Sequence, residues 1–468
     1  MVRLIRDLNF TVKINSNPKV IIFVHSYQPD KSLGSFNNSV IKSFQDIGCE
    51  VHYLIINDIL FKLNSKRIIP VYSNLKIVNY VKKLNPDLIL TINHSYVNSY
   101  FKQNINKPIN HWMHDRRPFN HDTTSDLDLF TSNDIILTPS ENNFKHFHDI
   151  YKLDFNQIFN IPFCTNPSDF VKTQKFSNRT FNISFVGSIF SELNMKKKLG
   201  RLNKKHISKL QEIYNEIEKD YETDIFSLVK KYRMSHFLRK KNISVLDLRG
   251  YICNRISNLK RLYYLDAVKE YGLVIFGNSE WNNLSNYPKY KKLINYFIDS
   301  RINSREKLSN IYSSSKFLIN INHHQAKAGL NFRFFDLLAS GALPLMEYRV
   351  ECDSFKYFPN LFIPRFKNKQ ELIKLIEYYS QNPLKAELII QDLKKAVKSH
   401  TFQQRAKEIL KINNLSFSNK IQKKIIKISP KVFLRNKLIT YDLLVNIYRV
   451  MPSFIKIIIR KYLEKNHF

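Results

Sequence analysis

Short apolar runs alternate with amphipathic stretches along the first third of the chain. A continuous apolar run predicts a strand buried on both faces, and apolar residues at helical spacing predict a helix. Because these units repeat with short connections, we expect a parallel sheet between helices. The predicted strands are 19–25, 51–56, 88–92, 109–113 and 135–138, and the predicted helices are 33–48 and 74–84.

A second strand–helix series begins at residues 182–187, after a polar, proline-containing stretch at 165–180 that suggests a linker. Residues 192–250 interrupt this series. They are charged, helix-prone and free of strand-like runs, so we expect a helical insertion. The insertion is interpreted either as a solvated helical hairpin or as a lid or acceptor-binding element.

The segment 331–345 has the clearest chemical pattern in the chain. An apolar strand at 317–321 leads through a polar loop to a helix that begins near Asn331. A helix start presents unpaired N–H groups and partial positive charge, which suits an anion. Arg333 and Asp336 lie three residues apart, on one face of this helix. An arginine for phosphate and a carboxylate for ribose hydroxyls suit a nucleotide diphosphate.

Residues 415–468 form a basic segment in which twelve Lys and Arg residues face only Asp442 and Glu464. Apolar residues stand among the basic ones at helical spacing. This pattern is typical of helices on an anionic membrane surface. The alternative is that the helices pack on the protein with their lysines in water.

Composition sets limits on these interpretations. The chain has 468 residues, which favours two or three domains. The 74 Lys+Arg against 39 Asp+Glu give a formal charge of +35, which favours polyanionic partners or reflects a lysine-rich background. No helix-turn-helix, RNA-recognition strand or zinc finger is evident, so we expect no specific nucleic acid partner.

The cysteines and the apolar runs indicate the cellular compartment of the protein. The four cysteines are far apart, which argues against a zinc site or a disulfide framework and suits a reducing compartment. Residues 1–10 show no secretory pattern, and no window is apolar enough to span a membrane. We therefore expect a cytoplasmic protein, or one peripheral on the inner face of a membrane.

Five motifs together resemble the CgeB-like glycosyltransferases of the GT-B fold. The main one is Asn-x-Arg-x-Phe-Asp-x-x-Ala-x-Gly at 331–341. The others follow the order of that family between about residues 180 and 410. They are Phe-Val-Gly-Ser at 185–188, the glycine-rich stretch 272–277 with Glu280-Trp281, Tyr312 to Asn320, and Ser-His-Thr-Phe at 399–402 with Arg405.

The resemblance implies two Rossmann-like domains that face each other across a cleft. Residues 1–172 would hold the acceptor, and residues 180–412 would hold a nucleotide sugar. Residues 413–468 would form a basic amphipathic helical tail. The implied reaction moves a sugar from the nucleotide-sugar co-substrate to a hydroxyl of a glycan, a lipid-linked glycan or a protein. Neither a metal nor another cofactor is implied.

The resemblance also implies roles for individual residues. Arg333 would stabilise the leaving diphosphate; the alternative is a structural salt bridge with Asp336 one turn away. Asp336 would accept hydrogen bonds from ribose hydroxyls. The residues expected near the phosphates are Gly187, Ser188, Gly329 and Asn331. A second cation is expected without a choice among candidates, which are Arg255, Lys260, Arg261, His323, His324 and Lys327.

The acceptor base is open. His114 and Asp115 follow the fourth predicted strand at its carboxyl end, where either could take a proton from a hydroxyl. The alternative is a turn with surface charges, and His25 after the first strand is an equal candidate. Asp126 and Asp128 would form the metal-binding D-x-D of GT-A transferases, but two strand–helix regions disfavour that fold.

Two departures from the pattern support a second hypothesis. Asp336 stands where the family has glutamate, and Ala328 occupies the position of the first carboxylate of the longer E-x7-E motif. The chain could therefore be a catalytically degenerate GT-B scaffold that binds a nucleotide sugar or a polyanion.

Overall fold

The computed structural model describes most of the chain between residues 17 and 427. The described residues are 17–25, 33–56, 74–93, 99–114, 130–170, 174–200, 202–220, 223–299, 302, 304–326, 329–349, 354–417, 425–427 and 451–452. They form two compact units. The first unit is Met1–Asp115, Asn120–Ile161 and Phe402–Phe468, and the second is Arg116–Phe119 and Pro162–Thr401.

The amino-terminal part of the first unit alternates strands and helices, as the apolar pattern predicts. The strands are buried apolar runs; every residue of Leu88–Ile92, for example, is buried. The strands are Lys19–His25 (β1), Glu50–Ile56 (β2), Leu88–Ile92 (β3), Ile109–Trp112 (β4), Ile135–Thr138 (β5) and Ile158–Asn160 (β6). The helices are Ser35–Asp46 (α1), Asn74–Leu84 (α2), Ser99–Asn104 (α3) and Phe144–Tyr151 (α4).

The second unit has its own sheet and most of the helices. Its strands are Phe181–Val186 (β7), Leu273–Phe276 (β8), Phe297–Ile298 (β9), Ser315–Asn320 (β10), Leu343–Glu347 (β11) and Arg365–Phe366 (β12). Its helices are Leu193–Leu199 (α5), Lys204–Lys219 (α6), Ile225–Lys231 (α7), Ser235–Lys240 (α8), Val245–Ala267 (α9), Arg305–Ser313 (α10), Phe332–Ala339 (α11), Ser354–Tyr357 (α12), Lys369–Gln381 (α13) and Pro383–Ala396 (α14).

After the second unit the chain returns to the first. Phe402–Ile412 (α15) packs on α1, where the rings of Phe36 and Phe402 are 5.4 Å apart. Asn413 and Asn110 exchange two side-chain hydrogen bonds of 2.9 and 3.0 Å. Ile425–Lys427 (β13) then pairs with β2. The expected boundary at residue 412 is therefore corrected to 401, because α15 buries its apolar face against the first unit.

Both sheets are parallel throughout their described pairs. The first has the order β13-β2-β1-β3-β4-β5-β6, and the second has the order β12-β11-β10-β7-β8-β9. The predicted α/β class with two Rossmann-like parallel sheets is confirmed. In the second sheet, the chain builds outward from β7 in one direction and from β10 in the other. The carboxyl ends of β7 and β10 are thus the point at which strand order reverses, where open α/β sheets bind ligands.

The insertion between β7 and β8 is helical in its described residues and has a core of its own. Side chains such as Ile213, Ile225 and Met234 are fully buried there. The expected end at residue 250 falls inside α9, which begins at Val245 and runs on to pack on the sheet. In the described part of the chain, no helix is long and apolar enough to cross a membrane.

The described part of the basic tail is short. Of the predicted tail helices, residues 418–424, 428–450 and 453–468 lie outside the described residues. The described segment Ile425–Lys427 is a strand, not a helix, because it continues the parallel ladder along the edge of β2.

Candidate functional site

The carboxyl end of β7 is closely packed around Gly187. Its N–H donates to the Phe276 carbonyl at 2.9 Å, and its carbonyl accepts from the Trp281 indole at 2.7 Å. A Cβ on Gly187 would lie 2.6 Å from the Phe185 ring. Only glycine fits this strand end without a shift of its neighbours, and the backbone is fixed at the reversal point of the sheet.

Arg333 reaches the same strand end from α11. Its Nη2 is 3.4 Å from the position that a Cβ on Gly187 would take, and its guanidinium lies 5.8 Å from the Phe185 ring centre. The side chain is half-buried. Among the described residues, no carboxylate lies within ion-pair distance of it, so the expected alternative of a salt bridge with Asp336 is wrong. Arg333 is placed to bind an anion.

Of the candidates for a second cation, Arg261 of α9 lies at the same strand end. Its Nη1 donates to the Ser188 carbonyl, and its guanidinium lies 4.8 Å from the Phe190 ring centre. Burial and, secondarily, the charge of Arg333 lower the pKa of Arg261 to about 9. The carboxylate of Glu347 acts on the pKa of Arg261 in the opposite sense.

The other two basic candidates on α9 are already paired. Arg255 donates to Glu192 at 2.9 Å, and Lys260 lies 2.7 Å from Glu347. The carboxylates that neutralise them come from distant parts of the sequence. No sequence pattern therefore distinguishes Arg261 from its neighbours, whereas the folded arrangement does.

Asn331 and Gly329 lie beside the start of α11. The Asn331 side chain caps the helix by accepting from the Phe334 N–H at 2.8 Å, and it donates to Asn322 at 2.7 Å. The Gly329 carbonyl accepts from Arg349 at 3.2 Å. Asn331 thus contributes by fixing the helix start, which removes one unpaired N–H and orients the others.

Asp336 lies in a different place from that expected for a ribose ligand. Its carboxylate is 2% exposed and accepts two hydrogen bonds from Arg305, at 2.6 and 2.8 Å, and one from Thr165 at 2.6 Å. Arg305 also contacts Asp169 at 2.9 Å. Since both carboxylate oxygens are occupied and enclosed, the assignment of Asp336 to ribose binding is corrected to a buried structural ion pair.

The paired histidines after β10 are half-buried, and each ring makes a hydrogen bond within the second unit. His323 contacts Asn254 at 3.0 Å, and His324 contacts the Ile217 carbonyl at 2.7 Å. Burial lowers the pKa of both imidazoles, well below the usual value for His323. They are neutral at pH 7 and add no charge to the site. Lys327 lies outside the described residues.

In the first unit, His114 follows β4 and is enclosed by aromatic rings. The ring centre of His114 lies 4.5 Å from that of Phe36 and 5.2 Å from that of Trp112. The backbone N–H of His114 donates to the Asn93 side chain at 2.7 Å. Burial lowers the pKa of His114 to about 3. The imidazole is neutral at pH 7 and a weak base.

Other predicted residues lie outside what the structure describes. Asp115 and the D-x-D pair Asp126 and Asp128 fall there, and of His25 only the backbone, at the end of β1, is described. Among the described residues, no three His, Cys, Asp or Glu side chains are grouped so that they could hold a metal ion.

The site geometry can be set beside known proteins. Residues 257–411, less than half of the chain, match the sequence profile of a family described as glycosyl transferase-like. A comparison with curated protein sequences finds no match. Both Arg261 and Arg333 lie inside the matched segment.

Several solved structures are similar in backbone. A glycosyltransferase from Rickettsia africae is 12% identical, with a TM-score of 0.48, over 85% of this chain and 98% of its own. Sucrose-phosphate synthase from Thermosynechococcus elongatus is 10% identical, with a TM-score of 0.49, over 84% and 98%. Anabaena HepE in complex with UDP and glucose is 11% identical, with a TM-score of 0.48, over 84% and 100%.

Proposed function

We propose that the protein is a glycosyltransferase that moves a sugar from a nucleotide-diphosphate donor to a hydroxyl acceptor. The second unit would hold the donor. The observation that carries this proposal is the pair Arg261 and Arg333 at the strand end beside Gly187, where no carboxylate of the described residues lies within ion-pair distance of either guanidinium. The matched segment 257–411 supports the same reaction class.

The two guanidiniums suit the charge that develops in this reaction. When the sugar–phosphate bond breaks, the diphosphate leaves with additional negative charge. Fixed cations aimed at that position stabilise the transition state more than the ground state. Arg333 also presents a planar fork of donors that matches phosphate oxygens. We propose that these side chains, and not a metal ion, balance the leaving group.

The acceptor side is proposed from the strand ends of the first unit. The acceptor would be a glycan, a lipid-linked glycan or a protein hydroxyl. A pKa of about 3 makes His114 a weak base, because proton-transfer efficiency falls as the pKa drops below the working pH. Asp115 and His25 are therefore the stronger candidates for the base. His114, at the end of β4, would be a neutral neighbour of Asp115.

The second candidate function is binding without transfer. It is favoured by one observation, the burial of Asp336 against Arg305, which leaves the carboxylate of the matched motif unavailable to the ribose. A scaffold that had lost this contact could still hold a diphosphate through its arginines.

The test is a screen of nucleotide sugars by mass spectrometry, for binding and for release of the nucleoside diphosphate, with and without EDTA. Turnover of at least one donor, unchanged by EDTA and lost in Arg333→Met, supports metal-independent transfer. Arg239→Met removes an exposed arginine from α8 and is the matched control. Binding without release in the presence of glycan acceptors would favour the scaffold, and no binding of any donor would reject both functions.

A further inference from the structure

The described loop after β10, residues 321–326, is held by helices of the insertion. The His324 ring nitrogen Nε2 lies 2.7 Å from the Ile217 carbonyl in the last turn of α6. A carbonyl only accepts, so Nε2 carries the hydrogen. The His324 backbone N–H donates to the Ser257 hydroxyl of α9 at 2.9 Å. Carbonyls in the last turn of a helix lack partners within the helix, and His324 satisfies one of them.

The same loop is joined to the start of α11. Asn322 is 3% exposed, and its side-chain oxygen accepts from Asn331 at 2.7 Å. Its backbone N–H donates to Glu347 at 3.1 Å. Asn331 caps α11 and stands two residues before Arg333. The loop therefore contacts the insertion through His324 and the start of α11 through Asn322.

The insertion is also fixed where it leaves the sheet. Glu192, 3% exposed, accepts from the Tyr287 hydroxyl and from Arg255. Asn258 of α9 exchanges hydrogen bonds of 2.9 Å with the backbone N–H and carbonyl of Phe190. With its own buried core and these two attachments, the insertion packs as part of the second unit.

We infer that the insertion positions the donor site, and that His324 is the positioning residue through which it acts on Arg333. This inference rests on the proposed function for its effect on catalysis. A displacement of about 1 Å at a charged group can cost on the order of a hundredfold in rate, because stabilisation of the transition state depends on alignment. The insertion would thus be part of the machinery that aligns the leaving group.

The test compares His324→Leu with His324→Gln. The amide nitrogen of glutamine can replace Nε2 as a donor to the Ile217 carbonyl, whereas leucine cannot. We expect kcat to fall about tenfold to a hundredfold in the leucine variant with a smaller change in donor KM, and to recover most of its value in the glutamine variant. The matched control is His206→Leu, which removes a histidine of the same insertion that stacks on Phe237 at 4.2 Å.

A second readout does not depend on catalysis. Hydrogen exchange at the first turn of α11 should become faster in His324→Leu and stay as in the wild type in His324→Gln and His206→Leu. Ser257→Ala, which removes the acceptor on α9 of the His324 backbone N–H, should have a smaller effect in the same direction. Faster exchange in a protein that turns over no donor would uphold the positioning role and reject the proposed function. Unchanged exchange and turnover in both His324→Leu and Ser257→Ala would overturn the inference, as would an equal effect of His206→Leu.

Discussion

Arg261 and Arg333 bring like charges to the same strand end, and the charge of Arg333 helps to lower the pKa of Arg261. They come from different helices, α9 and α11, and both reach the strand end at residues 187 and 188. The carboxylate of Glu347 acts on Arg261 in the opposite sense to Arg333. We propose that the two guanidiniums form a site for an anion, which would relieve their repulsion.

Replacing Arg333 with methionine should lower turnover about a hundredfold or more, because it removes a cation that stabilises the leaving diphosphate. The free energy of unfolding should be unchanged or slightly higher, since the repulsion of Arg261 is relieved. Steady-state kinetics and urea unfolding check the two parts. A loss of stability in parallel with activity would show that Arg333 has a structural role instead.

Gly277→Ala should weaken donor binding by deforming the strand end. A Cβ on Gly277 would lie 2.3 Å from the Gly187 carbonyl oxygen, so the backbone must shift. Gly34→Ala is the control, because nothing lies within 4 Å of its added Cβ. Calorimetric titration with UDP measures the effect. Equal affinities in the two variants would show that the position of Gly187 does not matter for the anion.

The sequence predicted the fold well because its apolar runs are local signals. The strands Leu88–Ile92 and Ser315–Asn320 are mainly apolar and overlap the predicted strands 88–92 and 317–321. It did not predict β6 or β13, which are three residues each and depend on a neighbouring edge to pair with. The return of α15 to the first unit was missed for a similar reason, since its apolar face does not reveal which surface covers it.

The candidate site was predicted in part. Arg333 and Gly187 meet as the placement of both motifs at strand ends implied. Asp336 does not face this strand end as a ligand, because it pairs with Arg305. Arg305 lies 31 residues away on another helix, and no local pattern joins the two residues. Charge pairing between distant residues also decided which of Arg255, Lys260 and Arg261 stays available. Such choices are made by tertiary contacts, which periodicity does not encode.

Asp336→Asn should destabilise the second unit by roughly 1.5–3 kcal/mol, because the half-buried guanidinium of Arg305 loses the charge of Asp336 and keeps only Asp169 as a carboxylate partner. Replacing both residues, with Arg305→Met and Asp336→Leu, should recover much of that loss. The buried Trp281 reports unfolding of this unit by fluorescence. If the Asp336→Asn protein is as stable as the parent but binds the donor more weakly, Asp336 binds the ribose and is not a structural ion-pair residue.

Acid should destabilise the first unit partly through His114. The pKa of His114 in the folded protein, about 3, lies below the usual 6.5, so the native state favours the neutral ring. This contribution is complete above pH 6.5 and is lost as the pH falls toward 3; between pH 6.5 and 5 it amounts to roughly 2 kcal/mol. Burial and, secondarily, the charge of Lys102 also lower the pKa of His111, which acts in the same direction.

His114→Phe should therefore reduce, but not abolish, the pH dependence of unfolding. A Trp281→Phe background leaves Trp112, in the first unit, as the only tryptophan and hence the reporter. Urea unfolding at pH 6.5 and pH 5 gives the difference. If the substituted protein loses as much stability between these two values as its parent, the ring of His114 is protonated with an ordinary pKa.

We propose that the basic tail binds anionic membranes, and two truncations separate this role from its contribution to the fold. Residues 428–468 hold eight of the twelve tail Lys and Arg residues, whereas Ile425–Lys427 pairs with β2. A chain that ends at 427 should lose binding to phosphatidylglycerol vesicles and keep its stability. A chain that ends at 417 should lose both, because the edge of β2 is uncovered.

Vesicle sedimentation over a range of salt concentrations measures this binding. Each Lys or Arg near the anionic surface contributes roughly 1 kcal/mol that salt screens, so affinity of the full chain should fall steeply with salt. Neutral vesicles are the control. Removing the tail should reduce transfer to a lipid-linked acceptor more than transfer to a soluble analogue, since only the former requires the surface. If the chain that ends at 427 sediments with vesicles as the full chain does, the tail does not bind the membrane and its lysines are simply solvated. Another surface would then have to bind a lipid-linked acceptor.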